Sequence, residues 1–343
     1  MKKAFLEGKG QIIVKDAPKP KIEKDDDVIL KLVRASVCGS DLWFYRGIDP
    51  ATNDNSGHEC LGIVEETGSA ITTVKKGDFV IAPFTHGCGH CAACLAGYDG
   101  NCLNATDLWS ADCQAEYVRY QHGQWALVKI PGQPSDYSDG MLASLQTLSD
   151  VMPTGYHAAR SAQVKKGDTA VVIGDGAVGL CGVIGAKLRG AKRIILMSHH
   201  EDRAKLGREF GATDIVASRG DDAINDVKKL TNGDGADAVL ECVGARASME
   251  EALKIVRPGA MIGRVGVPHD ETFDLGISFG TNAGITGGTA AVTTYDKGFL
   301  LRDVLEGTIN PGKVFTKAYS LDDIAQAYAD MDQRKTIKSL ITF

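Results

Sequence analysis

A short apolar run that leads directly into a glycine-rich turn restricts the fold of this chain more than any other feature. Residues 170–173 (AVVI) have the composition of a buried strand, and the GDGAVG turn at 174–179 follows at once and opens a helix-like stretch that extends to Arg189. In that context the backbone N–H groups of the turn and the helix N-terminus receive a pyrophosphate. The residues predicted to bind a dinucleotide are Gly174, Gly176, Ala177, Val178 and Gly179.

Strand-like and helix-like segments continue to alternate after this turn. Further strand-like runs lie at 193–197, 214–216, 238–242 and 261–265. Alternation of this kind produces a parallel sheet with helices on both faces. The sequence therefore predicts an α/β fold that contains a doubly wound Rossmann sheet, and a glycine turn in another kind of α/β protein is the less favoured alternative.

Composition limits the function classes that are open to the chain. A length of 343 residues corresponds to about two domains. With 38 basic and 44 acidic residues the net charge is −6, whereas nucleic acids and anionic membranes bind basic surfaces, so we expect neither as a partner. No apolar run reaches the length of a signal peptide or a membrane span. We therefore expect a cytoplasmic protein, in which cysteines are thiols or metal ligands.

Four of the nine cysteines are concentrated in one glycine-rich segment. Cys88, Cys91, Cys94 and Cys102 follow the pattern C-x2-C-x2-C-x7-C within fifteen residues. Short C-x2-C steps bring thiolates to the separations of a tetrahedral zinc site, and four thiolates leave no position open for a substrate. We predict a structural zinc site. Four unligated thiols, an iron–sulfur cluster and a zinc-knuckle nucleic-acid module are the alternatives.

A second group of possible metal ligands precedes this segment. It contains C-G-S-D at 38–41 and G-H-E at 57–59, followed by glycines at 62 and 68. Together with the four-cysteine loop, these motifs resemble the zinc-containing alcohol dehydrogenases of the medium-chain dehydrogenase/reductase superfamily. The resemblance extends over essentially the whole chain.

The resemblance implies how the chain is divided and where a substrate binds. A GroES-like, β-rich catalytic domain would comprise residues 1–147 and 285–343, and the Rossmann nucleotide-binding domain would comprise residues 148–284. The substrate cleft would lie between the two domains, with Phe84 and Trp109 among its walls. Large apolar walls suit a modest organic alcohol, aldehyde or ketone.

For a catalytic zinc, the resemblance implies Cys38 and His58 as two of the ligands. The third ligand should precede the T-G-Y segment at 154–156, and Asp150 is the oxygen donor in that position. Many relatives have cysteine there and others have aspartate. Three protein ligands leave the open position that a catalytic zinc requires, so the two sites together predict about two zinc ions per chain.

The resemblance gives catalytic roles to three further residues. Ser40 matches the hydroxyl that passes the substrate proton toward solvent, and Glu59 matches a residue that can approach the zinc. Asp41 is expected to orient the zinc-binding histidine through its second ring nitrogen. Simple surface charge is the alternative for both carboxylates. Trp43 stands where the family often has the outer histidine of the proton relay, so a water chain or His157 is left as the exit route.

Residues after the second strand of a Rossmann fold influence which cofactor binds. An NAD enzyme usually has Asp or Glu about 20 residues past the glycines, but here a serine stands nineteen residues after the last glycine of the turn. A 2′-phosphate would escape repulsion there, which favours NADP(H) over NAD(H). The residues that could bind it are Ser198, His199, His200 and Arg203. Two carboxylates follow the histidines, and Arg203 also matches a basic position of NAD-using relatives, so NAD(H) stays open.

The other cofactor contacts that the resemblance implies are Thr154, Val243, Val267 and Lys338. Lys338 would reach the phosphates, whereas Gly39 stands where relatives often have a second basic residue. Val267 is also a third candidate wall of the substrate pocket. These inferences predict a zinc-dependent, NADP(H)-preferring alcohol dehydrogenase or carbonyl reductase that forms a homodimer or homotetramer. Polyol, formaldehyde and threonine dehydrogenases of the same superfamily, and a non-catalytic nucleotide-binding scaffold, are the alternatives.

Overall fold

A computed structural model describes residues 1–50, 56–105, 110–268, 275–290 and 294–343. Trp109, predicted to line the substrate pocket, lies outside the described residues. The chain divides into two compact units, of which one comprises Met1–Asp150 with Ala291–Phe343 and the other comprises Val151–Ala290.

The strands within the described residues are β1 (Lys2–Gly8), β2 (Gln11–Asp16), β3 (Val28–Ser36), β4 (Cys60–Thr67), β5 (Phe79–Ala82), β6 (Tyr117–Tyr120), β7 (Val128–Ile130), β8 (Thr169–Ile173), β9 (Arg193–Met197), β10 (Asp214–Val216), β11 (Ala236–Glu241), β12 (Val256–Arg264), β13 (Gly284–Gly287), β14 (Phe315–Ser320) and β15 (Lys338–Thr342). The α-helices are α1 (Asp41–Tyr45), α2 (Ala92–Leu95), α3 (Gly123–Ala126), α4 (Asp139–Thr147), α5 (Val151–Ser161), α6 (Ala177–Leu188), α7 (Glu201–Phe210), α8 (Gly220–Leu230), α9 (Arg246–Ile255), α10 (Leu275–Thr281), α11 (Thr294–Leu305) and α12 (Ile324–Asp332). None of these helices combines the length and the apolar character that crossing a bilayer requires.

The second unit is built on a six-stranded parallel sheet in the order β10-β9-β8-β11-β12-β13. This is the strand order of a doubly wound dinucleotide-binding fold, in which the chain reverses its direction of progress between β8 and β11. Ligands bind at the carboxyl ends of the strands at that point. The predicted Rossmann sheet is therefore confirmed.

One glycine allows two helices of this unit to pack closely. A Cβ atom on Gly155 of α5 would lie 2.5 Å from the backbone of Cys181 and Gly182 in α6, so this crossing requires glycine.

Strand β12 begins earlier than the sequence predicts. The predicted strand at 261–265 starts too late, because Pro258 and Gly259 within the strand have the composition of a turn. The pairing with β11 shifts register across these residues, which accommodates them in a bulge.

The first unit contains a mixed seven-stranded sheet in the order β14-β15-β3-β4-β5-β7, with β6 also paired to β3. β15 runs antiparallel to β3, with Leu340 opposite Ser36, so the last strand of the chain joins a sheet that begins near its N-terminus. Alternate residues of these strands, such as Leu30, Val64 and Val80, form one buried apolar cluster. This sheet is the β-rich part of the fold that the sequence predicts.

Candidate zinc and cofactor sites

Residues from three segments of the first unit meet at one end of its sheet. Cys38 follows β3, and His58 and Glu59 precede β4, whose Cys60 pairs with Ala35 of β3. Antiparallel pairing puts the end of one strand beside the start of the next, which brings these residues together. Asp150 lies in the segment after α4 and is the fourth residue of the cluster. The four side chains offer ligand atoms that lie within 4.8 Å of one another.

The spacing of the donor atoms in this cluster suits a tetrahedral zinc. Cys38 Sγ lies 3.4 Å and His58 Nε2 lies 3.5 Å from Asp150 Oδ2. Zinc–ligand bonds of about 2.0–2.3 Å place neighbouring tetrahedral ligands about 3.3–3.8 Å apart. A sulfur, a nitrogen and an oxygen donor thus have the identity and the spacing that zinc requires.

Asp41 holds two of these residues in place. Its Oδ2 accepts a hydrogen bond from the Cys38 backbone N–H at 2.9 Å. Its Oδ1 lies 3.3 Å from His58 Nδ1. A carboxylate at Nδ1 keeps the proton on that nitrogen and lets Nε2 act as the metal ligand, which is the role predicted for Asp41.

The charges at the cluster favour a bound cation. Burial and the nearby Asp150 raise the pKa of the Cys38 thiol. Burial alone would lower the pKa of His58, but Asp41 and Cys38 raise it well above its usual range. Anionic donors held this close repel one another, and a divalent metal ion removes that repulsion.

Glu59 is held by a buried ion pair. Its side chain is fully buried, its Oε1 lies 2.6 Å from Lys338 Nζ, and its Oε2 accepts a hydrogen bond from Ser36 Oγ at 2.6 Å. Lys338 is 1% exposed and also donates to the Val37 carbonyl at 3.1 Å. The amine predicted to reach the cofactor phosphates is therefore turned toward Glu59, an arrangement that sequence reasoning missed.

The four-cysteine loop forms a second cluster, whose ligand atoms also lie within 4.8 Å of one another. Cys91 Sγ is 3.5 Å from Cys94 Sγ and 3.9 Å from Cys102 Sγ. Zinc–sulfur bonds of about 2.3 Å give tetrahedral sulfur–sulfur distances of about 3.8 Å. Cys94 and Cys102 are buried, and the loop fits a closed site.

Backbone N–H groups favour the thiolate form of Cys91 in this loop, whereas burial raises the pKa of Cys94 to about 12. The Cys88 N–H points at Cys102 Sγ at 3.3 Å, and the Leu103 N–H points at Cys91 Sγ at 3.5 Å. Hydrogen bonds from the backbone of Cys94 and Leu103 lower the pKa of Cys91 to about 6. Such donors around the sulfurs are typical of zinc–thiolate sites.

We expect Cys94→Ala to release one zinc ion per chain and to destabilise the first unit. A closed zinc site contributes on the order of 10 kcal/mol in small zinc-binding peptides. Zinc content by elemental analysis and the thermal unfolding midpoint measure the effect. Cys181→Ala, which removes a fully buried thiol from α6, is the matched control. Unchanged zinc content, or a midpoint no lower than that of the control, would contradict the assignment.

In the second unit, the glycine turn provides space for a dinucleotide. Gly174 has φ 108°, a conformation that favours glycine. A Cβ on Gly179 would lie 2.0 Å from the Gly174 carbonyl oxygen, whereas a Cβ on Gly176 would meet nothing within 4 Å. Gly176 thus faces open space at the N-terminus of α6, beside Ala177 and Val178, where a pyrophosphate binds in this motif. The residues present therefore fit the pyrophosphate of a dinucleotide.

The residues predicted to select the cofactor surround Asp175. Its Oδ2 accepts a hydrogen bond from Ser198 Oγ at 2.8 Å and lies 2.8 Å from His200 Nδ1. Its Oδ1 lies 3.1 Å from Arg203 Nη1. Burial opposes ionisation, but the hydrogen bonds from His200 and Ser198 lower the pKa of Asp175. His199 is exposed and contacts Arg219.

Two valines predicted at the cofactor lie at the carboxyl edge of the sheet, after β11 and β12. Val243 is 45% and Val267 is 37% exposed, so both present apolar surface there. Glu241, which sequence reasoning missed, is fully buried and accepts the Val243 and Gly244 N–H groups at 2.8 Å each. It positions the loop that carries Val243. Its signal in the sequence is a carboxylate that directly follows the apolar run at 238–240.

The remaining predicted residues are distributed as follows. Phe84 is buried, with its ring centroid 5.9 Å from that of His58. Ser40 is half-buried immediately before α1, and Trp43 lies within that helix. Thr154 is buried in α5 of the second unit.

His157, the alternative relay residue, is also buried in α5. Burial and the nearby Arg160 lower the pKa of His157 to about 4. The imidazole is therefore neutral at physiological pH. Its Nε2 lies 3.4 Å from Ser161 Oγ, one helical turn away. These properties are those of a packed core histidine.

Comparison with known proteins identifies the class to which this geometry belongs. Residues 24–132 match the alcohol dehydrogenase GroES-like domain, and residues 177–294 match the zinc-binding dehydrogenase domain. The solved structure of the alcohol dehydrogenase TADH from Thermus sp. ATN1 covers 100% of this chain and 99% of its own, with a TM-score of 0.89 and 28% identity.

Sequence relatives agree with the domain matches. The chain is 32% identical to AdhB, an uncharacterized zinc-type alcohol dehydrogenase-like protein of Bacillus subtilis, over 97% of both chains. It is 31% identical to an alcohol dehydrogenase of Cupriavidus necator, over 96% of this chain and 94% of that one. The chain therefore belongs to the zinc-type alcohol dehydrogenases, a family of oxidoreductases in the medium-chain dehydrogenase/reductase superfamily.

Proposed function

We propose that this chain is a zinc-dependent alcohol dehydrogenase that interconverts a small alcohol and its aldehyde or ketone, with NADP(H) as the preferred cofactor. The observation that carries the proposal is the cluster of Cys38, His58 and Asp150, whose ligand atoms lie within 4.8 Å of one another. Three such ligands leave a fourth position for a substrate oxygen. A non-catalytic nucleotide-binding scaffold would not require this open site.

In this proposal Cys38, His58 and Asp150 hold the catalytic metal, and the four-cysteine loop holds a structural one. When bound, zinc polarises the substrate oxygen and the nicotinamide ring accepts or delivers the hydride. Asp41 keeps the Nδ1 proton on His58, so that Nε2 presents its lone pair. The buried ring of Phe84 beside His58 excludes water from one side of the site.

The chain also has to move one proton. Ser40 Oγ accepts the hydroxyl proton of an alcohol and donates its own toward solvent, and it returns a proton when a carbonyl compound is reduced. We propose a water chain as the outer part of this route, because Trp43 has no group that can relay protons and the half-buried Ser40 lies near the surface.

The preference for NADP(H) is supported by the residue that follows β9. This residue is Ser198, so the end of the strand lacks the carboxylate that binds a 2′-hydroxyl and repels a 2′-phosphate. Arg203, which is paired with Asp175, and Arg219, which contacts His199, add positive charge at this end of the sheet. The pyrophosphate would rest on the N-terminus of α6 at Gly176.

We assign the GroES-like domain to residues 1–147 with 285–343 and the Rossmann domain to residues 148–284. A cytoplasmic location and assembly into a homodimer or homotetramer, both implied by the family, complete the proposal. The small-molecule substrate is an alcohol or carbonyl compound without high charge.

The experiment that tests the function compares kcat/KM for NADPH and NADH across a panel of simple alcohols, polyols, aldehydes and ketones, formaldehyde and threonine. We expect turnover of a simple alcohol or its carbonyl compound with about two zinc ions per chain, and higher kcat/KM with NADPH. Preferred turnover of polyols, formaldehyde or threonine would select the corresponding alternative. A zinc-loaded protein without turnover on the whole panel would contradict the enzymatic proposal, and a strong NADH preference would contradict the cofactor assignment.

A further inference from the structure

We propose that Asp175 is a specificity-determining residue: its carboxylate takes the place of the missing ribose-binding acid, keeps NAD(H) usable and limits the preference for NADP(H). The inference rests on the proposed function, because it assumes that a nicotinamide dinucleotide binds at the glycine turn. It concerns a residue inside the G-x-G-x-x-G turn that the motif itself leaves variable.

The sheet register explains why Asp175 can act at this position. Ile173 and Met197 are partners at the carboxyl ends of the neighbouring parallel strands β8 and β9. Asp175 is two residues past the end of β8, and Ser198 is one residue past the end of β9. Their side chains meet at 2.8 Å. The glycine turn therefore delivers a carboxylate to the place where an NAD enzyme has one at the end of its second strand.

The contacts of Asp175 also involve the groups that a 2′-phosphate would need. Ser198 Oγ donates to its Oδ2, and Arg203 Nη1 lies 3.1 Å from its Oδ1. The Asp175 side chain is only 13% exposed, so solvent screens its charge weakly. A bound 2′-phosphate would have to compete for the same donors and would meet a negative charge at close range.

The 2′-hydroxyl of NAD(H) has the opposite requirement. A hydroxyl can donate to the carboxylate without displacing Arg203, in the way that the acid of an NAD enzyme binds the ribose. The Asp175 carboxylate thus favours the binding of NAD(H) and opposes the binding of NADP(H). We expect wild-type protein to use both cofactors, because the Asp175 side chain reduces the preference for NADP(H).

A metal ion is a weaker explanation of the same residues. Asp175, His199 and His200 have ligand atoms within 4.8 Å of one another. However, Arg203 contacts the Asp175 carboxylate and Arg219 contacts His199. Two guanidinium groups at the ligand atoms repel a cation and attract a phosphate.

The test is the binding of two adenosine fragments, 2′,5′-ADP and 5′-AMP, to wild-type protein and to Asp175→Asn, measured by calorimetry. The asparagine keeps an oxygen that can accept from Ser198 but removes the charge. We expect 2′,5′-ADP to bind at least about tenfold more tightly to the variant, because the charge that repels its 2′-phosphate is gone. We expect 5′-AMP to bind up to about threefold more weakly, because an amide oxygen accepts its 2′-hydroxyl less well than a carboxylate does. Asp175→Ser should give the same direction.

Asp202→Asn is the matched control, because it removes an exposed carboxylate from the first turn of α7. We expect it to change the affinity for both fragments by less than about twofold, since exposed charges are screened. Retained 5′-AMP binding shows that Asp175→Asn is folded. Weaker or unchanged 2′,5′-ADP binding by both Asp175 variants would overturn the inference. If wild-type protein bound neither fragment, the proposed dinucleotide site itself would be wrong, and the inference with it.

Discussion

Asp150→Ala is expected to abolish turnover while cofactor binding is retained. The substitution removes the oxygen donor that lies 3.4 Å from Cys38 Sγ and 3.5 Å from His58 Nε2. Two remaining protein ligands hold zinc poorly. Loss of a single oxyanion-stabilising hydrogen bond already costs about 10²–10³ in kcat, so we expect loss of the metal that polarises the substrate oxygen to cost at least about 10³ in kcat/KM.

Three measurements separate this effect from misfolding. Zinc content should fall from about two ions to about one per chain, and NADPH binding should be unchanged. Asp150→Cys, which supplies a thiolate ligand, should restore zinc content and part of the activity. Asp139→Ala, which removes a carboxylate with a 96% exposed side chain in the helix before Asp150, is the matched control. Turnover of Asp150→Ala at the wild-type level would exclude Asp150 as a ligand.

Sequence patterns predicted those parts of the molecule whose structure is determined by residues adjacent in the chain. The strand, glycine turn and helix at 169–188 are adjacent in the chain, and each has its own composition signal. The four cysteines likewise lie within one short loop. The boundary of β12 was predicted less well, because Pro258 and Gly259 are accommodated by a register shift against β11. A pairing irregularity depends on the neighbouring strand and leaves no local pattern.

The partners of two important side chains depend on strand pairing between distant segments. Asp175 meets Ser198 because β8 and β9 are neighbours in the sheet. A single sequence predicts that both strands exist. It does not reveal that the Asp175 side chain, after β8, reaches Ser198 after β9. For this reason the cofactor prediction counted Ser198, His200 and Arg203 as free donors and overlooked the carboxylate that already binds them.

Lys338 is the second example, because it lies 279 residues from Glu59. Its position was predicted from a family motif at the end of the chain, where a basic residue reaches the cofactor phosphates. In this structure β15 pairs antiparallel with β3, and Lys338 at the start of β15 therefore lies near the end of β3, beside the proposed zinc ligands. Only that long-range pairing explains why its amine is buried against Glu59.

Lys338→Met is therefore expected to destabilise the first unit strongly. Burial lowers the pKa of a lysine, but Glu59, Cys38 and Asp150 raise the pKa of Lys338 above its usual value, so the amine is charged. Its removal leaves the fully buried Glu59 carboxylate without its cation. Breaking a buried ion pair in this way costs about 3–5 kcal/mol. Denaturant unfolding measures the loss.

Two further variants show whether the ion pair is the cause. Lys338→Met combined with Glu59→Gln removes both charges, so we expect it to regain most of the lost stability, because no buried charge is left unpaired. Lys2→Met, which breaks an ion pair between side chains 50% and 62% exposed, should leave the free energy of unfolding nearly unchanged, because solvent-exposed ion pairs contribute little. If Lys338→Met instead weakened NADPH binding and left the free energy of unfolding unchanged, Lys338 would serve the cofactor phosphates, as the family motif implies, and not Glu59.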